Sequence, residues 1–129
     1  AKVHDDPKTT NGRPGSRAPH IWLTRGGKKI SSLDLFGSGF VLLAGPQGNT
    51  WREAWRAIKN KFPGLPFGCL VVGQDVQDSD GRFLSAFGIA SDGASLIRPD
   101  GFVGWRSKTA STDPAAALEQ ALKTLLAKG

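Results

Sequence analysis

Two apolar runs flank one amphipathic helix, and this arrangement restricts the fold more than any other feature of the chain. Gly39-Phe40-Val41-Leu42-Leu43-Ala44 has large apolar residues in succession, the pattern of a strand covered on both faces. Phe67-Gly68-Cys69-Leu70-Val71-Val72-Gly73 is a second run of the same kind. Between them, Trp51, Trp55, Ile58 and Phe62 recur at helical spacing and make a single apolar stripe. Arg52, Arg56 and Lys59 take the other faces. Thr50 followed by Glu53 reads as a capping box that opens the helix, and Pro63-Gly64 as its stop. Buried strand, helix and buried strand form a βαβ unit, so the two strands are expected to run parallel through a right-handed crossover.

A β-hairpin is expected over 93–106. Arg98-Pro99-Asp100-Gly101 has Pro at the second turn position and Gly at the fourth, which suits a tight turn closed through a bulge. Leu96 and Ile97 enter the turn; Phe102, Val103 and Trp105 leave it. Upstream, Ala18 to Leu23 reads as a short strand, Arg25-Gly26-Gly27-Lys28 as a turn, and Lys29 to Leu33 as the returning strand. Asp34 to Gly37 reads as a short turn or single helical turn. Phe83 and Phe87 mark a short helix over 82–89. Asp113 caps a last helix with Pro114 at its first position, Leu118, Leu122, Leu125 and Leu126 on one face, and Gly129 as its stop. The order is β-hairpin, β, α, β, short α, β-hairpin, α. It predicts an α/β, thioredoxin-like fold: a mixed central β-sheet with helices on both faces and an N-terminal β-hairpin. Residues 1–16 are polar, without apolar periodicity, and are expected to be a flexible linker or tail; 17–129 form the domain.

A chain of 129 residues fits one domain. The net charge is +6, but the cations are scattered without a run, which argues for a solvated basic surface and against a nucleic-acid or membrane partner. The lone Cys69 forbids an internal disulfide and points to a reducing, cytoplasmic setting. No apolar run reaches the roughly 18 residues of a membrane span, and the N-terminal stretch has no signal-peptide core. The absence of Met fits a removed initiator or a piece of a longer chain.

Chemistry-bearing motifs are few. A working thioredoxin needs a thiol pair at the N-terminus of the helix after the first buried strand, where the helix end stabilises a thiolate. Ala44-Gly45-Pro46-Gln47-Gly48-Asn49-Thr50-Trp51 occupies that place, without sulfur. Cys69 lies within an apolar strand and reads as an inert core thiol. A redox or peroxidatic role for it requires exposure and a cationic neighbour. The glycines of Gly45 to Thr50 lack the lysine and the spacing of a phosphate loop, and Gly37-Ser38-Gly39 precedes a strand, not a helix. Asp75, Asp78 and Asp80 have the wrong frame for a Ca²⁺ loop and read as a solvated loop with a helix cap. His4 and His20, the only histidines, have no ligand or triad partner at a useful spacing. Trp22, Trp51, Trp55 and Trp105 read as core or partner surface; Trp22 and Trp105 are the interface candidates. No catalytic, cofactor-binding or metal residue is assigned.

Four stretches, in this order, carry a resemblance. They are Pro14-Gly15-Ser16-Arg17-Ala18-Pro19-His20-Ile21-Trp22-Leu23, Ser32-Leu33-Asp34-Leu35-Phe36-Gly37, Gly39-Phe40-Val41-Leu42-Leu43-Ala44-Gly45 and Leu96-Ile97-Arg98-Pro99-Asp100-Gly101-Phe102-Val103-Gly104-Trp105-Arg106. The series resembles the C-terminal thioredoxin-like domain of FAD-dependent aromatic-ring hydroxylases, the phenol hydroxylase and polyketide hydroxylase group. It runs from about Pro14 to the last helix. The resemblance implies a parent enzyme, an FAD- and NAD(P)H-dependent monooxygenase that hydroxylates a phenolic ring, with its FAD and substrate domains upstream. It implies that this module has lost thioredoxin chemistry, carries no catalytic residue or cofactor of its own, and serves packing and subunit contacts, with a homodimer as one outcome. Gly93-Ala94 also stands where active thioredoxins place a proline. The competing expectations are a free-standing thioredoxin-like protein with one-Cys redox or peroxidase chemistry at Cys69, and a small basic adaptor for an acidic partner.

Overall fold

The computed structural model describes residues 12–128. The elements are β1 (Trp22–Arg25), β2 (Lys28–Ser31), β3 (Phe40–Ala44), α1 (Asn49–Ile58), β4 (Phe67–Val71), α2 (Phe83–Phe87), β5 (Ala94–Ile97), β6 (Val103–Ser107) and α3 (Pro114–Lys128). The main sheet has the order β4-β3-β5-β6; β3 and β4 are parallel, and β5 is antiparallel to both β3 and β6. β1 and β2 form a separate antiparallel pair. Every residue of β3 is buried, as its unbroken apolar run requires.

Strand alternation in β3 divides the interior into two cores. Val41 and Leu43 face Leu23, Phe83 and Phe87, so α2 and the β1–β2 hairpin cover one side. Phe40, Leu42 and Ala44 face Trp51, Ile58, Leu118 and Leu122, so α1 and α3 cover the other. This is the thioredoxin-like arrangement expected from the element order.

The β5–β6 turn closes as its residues dictate. Gly101 has φ +86° and donates to the Arg98 carbonyl at 2.9 Å, while Arg98 N–H reaches Phe102 O at 2.8 Å. Ile97 pairs with Val103 but Leu96 with Trp105, which makes Gly104 the extra residue of a bulge. A Cβ there would sit 2.7 Å from Leu125 Cδ1, so the Leu125 side chain packs into the space that glycine leaves.

Several boundaries differ from expectation. Gly48, not Thr50, precedes the first residue of α1, and no side-chain cap forms there. The backbone turn supplies the start instead, since Gly48 N–H donates to Gly45 O at 2.9 Å, and Thr50 and Glu53 fall inside the helix. Regular helix ends at Ile58 and a 3₁₀ turn follows, so Phe62 lies beyond the helix. β1 begins only at Trp22. The returning strand stops at Ser31, because Ser31 caps a 3₁₀ turn over Ser32–Leu35 with its own capping box to Asp34. Leu126 is 41% exposed and lies off the buried stripe of α3. β4 is an edge strand and only half-buried, because nothing pairs beyond it in the sheet order.

Of the expected lead-in over 1–16, residues 1–11 lie outside the described residues, as do the side of Gly129 and its stop. From Gly15 onward the chain is bonded to the body. Gly15 N–H donates to Val103 O and Val103 N–H to Ser16 O, both at 2.8 Å, and Ala18 N–H reaches Gly101 O at 2.9 Å. The Arg17 guanidinium lies over the Phe102 ring at 5.2 Å. This segment covers the outer edge of β6.

Candidate functional site

The turn between β3 and α1 is where a thioredoxin frame places its chemistry. Here it is closed by backbone hydrogen bonds. Gly45 N–H donates to Gly93 O at 3.0 Å and Gln47 N–H to Ser91 O at 2.9 Å. A Cβ on Gly45 would come within 2.3 Å of the Ser91 carbonyl oxygen, so glycine is required for this approach. Gln74 Nε2 donates to Asn49 Oδ1 at 2.8 Å across the mouth of the turn. Behind it, Trp51 is fully buried and its indole N–H donates to Asp92 O at 3.0 Å. Pro46 and Gln47 are the exposed tip. The Gly45, Gln47 and Gly48 amides of this turn thus already have backbone partners, and Pro46 has no N–H to offer.

Cys69 lies on β4, beside Arg52, Arg56 and Asp75. Burial pushes its thiol from 9.0 up to about 12, with Arg52 pulling down, Asp75 pushing up and Arg56 pulling down. The cationic neighbours that a reactive thiolate needs are therefore present, but desolvation outweighs them and the thiol stays neutral at ordinary pH.

The same corner seals the edge of the sheet. Phe40 N–H donates to Pro66 O and Val72 N–H to Ala44 O, which turns the backbone groups of Phe67, Cys69 and Val71 away from β3. The Trp55 indole N–H donates to Phe67 O at 3.0 Å, and Asp75 Oδ2 accepts from Val71 N–H at 2.7 Å while pairing with Arg52. Sequence reasoning placed Trp55 and Arg52 on α1 but missed these partners. The link from Arg52 to Asp75 spans 23 residues, and no local spacing announces it.

The two interface candidates are not brought together. Trp105 is half-buried on the core side of β6, edge-on to Trp51 with ring centroids 5.6 Å apart. Trp22 is 45% exposed on the outer face of the β1–β2 pair, because Leu23 and Ile30 turn inward. Lys29 Nζ lies 4.8 Å from its ring centroid and the His20 ring stands edge-on at 4.7 Å. His20 Nδ1 is 2.6 Å from Ser31 Oγ, so its partner is a hydroxyl that also accepts from Leu33 N–H at 3.1 Å. His4 lies outside the described residues.

The remaining motifs have structural uses. Asp78 accepts from the Arg82 and Phe83 N–H groups at the start of α2, the helix cap expected of that loop. A Cβ on Gly39 would meet Pro66 Cβ at 2.5 Å, so this glycine admits a close strand contact. Among the described residues, no group of three His, Cys, Asp or Glu could hold a metal ion. Among the described residues, no helix is long and apolar enough to cross a membrane.

Comparison with known proteins agrees with this geometry. The family described as aromatic-ring hydroxylase, C-terminal, matches residues 11–128. The tetracenomycin A2 monooxygenase-dioxygenase of Streptomyces glaucescens is 48% identical over 119 residues, which cover 91% of this chain and 21% of that protein. The 4-methyl-5-nitrocatechol 5-monooxygenase of a Burkholderia species is 47% identical, over 95% of this chain and 22% of that protein. The crystal structure of aklavinone-11 hydroxylase in ternary complex with FAD and aklavinone superposes with a TM-score of 0.87 at 41% identity, covering 95% of this chain and 23% of that one. The chain thus spans about a fifth of the length of the curated relatives it matches. With the sheet order, the sulfur-free turn and the match over nearly its whole length, the chain belongs to the family of aromatic-ring hydroxylase C-terminal domains.

Proposed function

We propose that this chain acts as a non-catalytic accessory module of an FAD- and NAD(P)H-dependent aromatic hydroxylase. It packs against the upstream FAD and substrate domains of that enzyme and contributes to subunit contacts in a homodimer. The observation that carries this reading is the turn Gly45-Pro46-Gln47-Gly48 at the head of α1. The thioredoxin frame is kept, yet the position of its chemistry holds no sulfur. A fold kept without its chemistry acts through its surface. FAD and NAD(P)H belong, on this reading, to the rest of the parent enzyme. One-Cys chemistry at Cys69 gains no support from a thiol held near 12.

Two measurements test the reading. The chain should not reduce insulin disulfides with a thiol donor, and Cys69→Ser should change nothing; turnover that vanishes in that variant would contradict the proposal. Purified chain should also be colourless, and stoichiometric FAD surviving gel filtration would overturn the assignment of the flavin to other domains.

A further inference from the structure

We infer that the free edge of β4 is guarded against strand pairing with a second copy of this chain: the Trp55 indole and the Asp75 carboxylate occupy the backbone groups through which such a pair would close. The inference goes beyond the module reading and does not depend on it.

The main sheet ends in β6 on one side and β4 on the other. The β6 edge is covered by the segment from Gly15 to Ala18. No strand lies beyond β4 in the sheet order, and an open edge is a template for another chain. The parallel register with β3 points the backbone groups of Phe67, Cys69 and Val71 outward. Among the described residues, the Cys69 N–H and C=O have no hydrogen-bond partner, so the middle of this edge is open.

That opening fixes the pairing to be excluded. A residue with both N–H and C=O free can exchange both bonds with its own counterpart across a two-fold axis, in an antiparallel pair. Cys69 would then face Cys69 of the second copy, and the next bonded pairs would join Phe67 of each copy to Val71 of the other. Those pairs need the N–H and C=O of both residues, and all but the Phe67 N–H are already in use. The Trp55 indole N–H donates to Phe67 O at 3.0 Å, and Asp75 Oδ2 accepts from Val71 N–H at 2.7 Å. Val71 O accepts from the Gln74 and Asp75 N–H groups at 3.0 and 2.9 Å. The two side chains thus stand on either side of Cys69, where the two-fold pair would have to close.

Helix α1 holds both guards in place. It carries Trp55, whose ring stands edge-on to Phe67 with centroids 6.4 Å apart and has Lys59 Nζ 4.3 Å from its centroid. It also carries Arg52, which pairs with Asp75. Charge acts in the same direction. Arg52 and Arg56 both lie near enough to pull on the Cys69 thiol, so an axis through Cys69 would gather the cations of both copies.

The test compares the chain with the double variant Trp55→Phe, Asp75→Ala by sedimentation and amide exchange. Trp55→Phe keeps a ring but removes the indole N–H, and Asp75→Ala removes the carboxylate, so Phe67 O and Val71 N–H become free for each other across the axis. In the native chain the Val71 amide should be protected, and the Cys69 amide should exchange freely at every protein concentration. The double variant should dimerise with a dissociation constant at least about tenfold below that of the native chain, as added backbone hydrogen bonds require. Its Cys69 amide should become protected as concentration rises, while exchange in β1, β2 and β6 stays as it was. A double variant that melts cooperatively and sediments as the native chain does would overturn the inference. So would association that leaves Cys69 exchange unchanged, or concentration-dependent protection of Cys69 in the native chain. Where the double variant does not melt cooperatively, whichever single variant does is read in the same way, with a smaller gain expected. A folded single variant that matches the native chain in both measurements, or a native Val71 amide without protection, would then overturn it.

Discussion

At the scale of single residues, Asp75 does more than its loop position suggests. Its carboxylate receives the Val71 amide at the sheet edge and pairs with Arg52, whose Nε is buried without a partner. Asp75→Ala removes both contacts and leaves a half-buried cation uncompensated. It should lower unfolding free energy by about 1–3 kcal/mol, read from urea denaturation. An unchanged midpoint would show that water replaces both contacts at no cost. Cys69 gives a prediction with a sign. Its thiol is pushed up from 9.0 to about 12 by burial, so the folded state holds the proton more tightly than the unfolded state. The resulting stability is fully present below pH 9 and is lost as pH rises from about 9 toward 12. Compared with Cys69→Ala, the native chain should lose stability more steeply in that window. Parallel stability curves would mean that the thiol is not desolvated.

At the scale of elements, β3 and α3 carry the interior. Leu42 and Leu122 are fully buried on the same core, so truncating either to Ala should cost about 2–5 kcal/mol. Leu126, 41% exposed on the same helix, should cost less than about 0.5 kcal/mol when truncated. Equal losses at Leu122 and Leu126 would mean that α3 is rotated from the described packing. These elements were legible because their burial follows periodicity: an unbroken apolar run for β3, leucines at helical spacing for α3, and turn chemistry for the β5–β6 hairpin. The start of α1 was not, because the backbone turn at Gly45 to Gly48 does the work assigned to Thr50 and Glu53. The edge position of β4 was not legible either. Strand order is a non-local property, and the run around Cys69 looks the same whether a neighbour covers it or not. The candidate site divides in the same way. The missing thiol pair can be read from residue types alone. The Arg52–Asp75 closure of the sheet edge and the different fates of Trp22 and Trp105 depend on which sheet and which face each strand joins.

At the scale of the whole molecule, the four indoles report the packing directly. Trp51 is fully buried, Trp55 and Trp105 are half-buried, and Trp22 stands at 45% exposure beside Lys29. Emission should therefore be a composite: a shielded fraction from the core and a fraction open to quenchers. The open fraction sits beside Lys29, whose charge concentrates anions and repels cations within a Debye length of about 10 Å at 0.1 M salt. Iodide should thus quench the exposed fraction better than caesium does, beyond the difference seen for free tryptophan. That excess should shrink as inert salt is added, and Trp22→Phe should remove it. If the isolated chain buried Trp22 in a dimer, quenching would weaken with protein concentration and sedimentation would show the larger species. A concentration-independent, iodide-selective signal that disappears with Trp22 places an exposed cationic-aromatic face on the hairpin. Equal quenching by both ions would mean that the Lys29 charge does not act on ions around that ring.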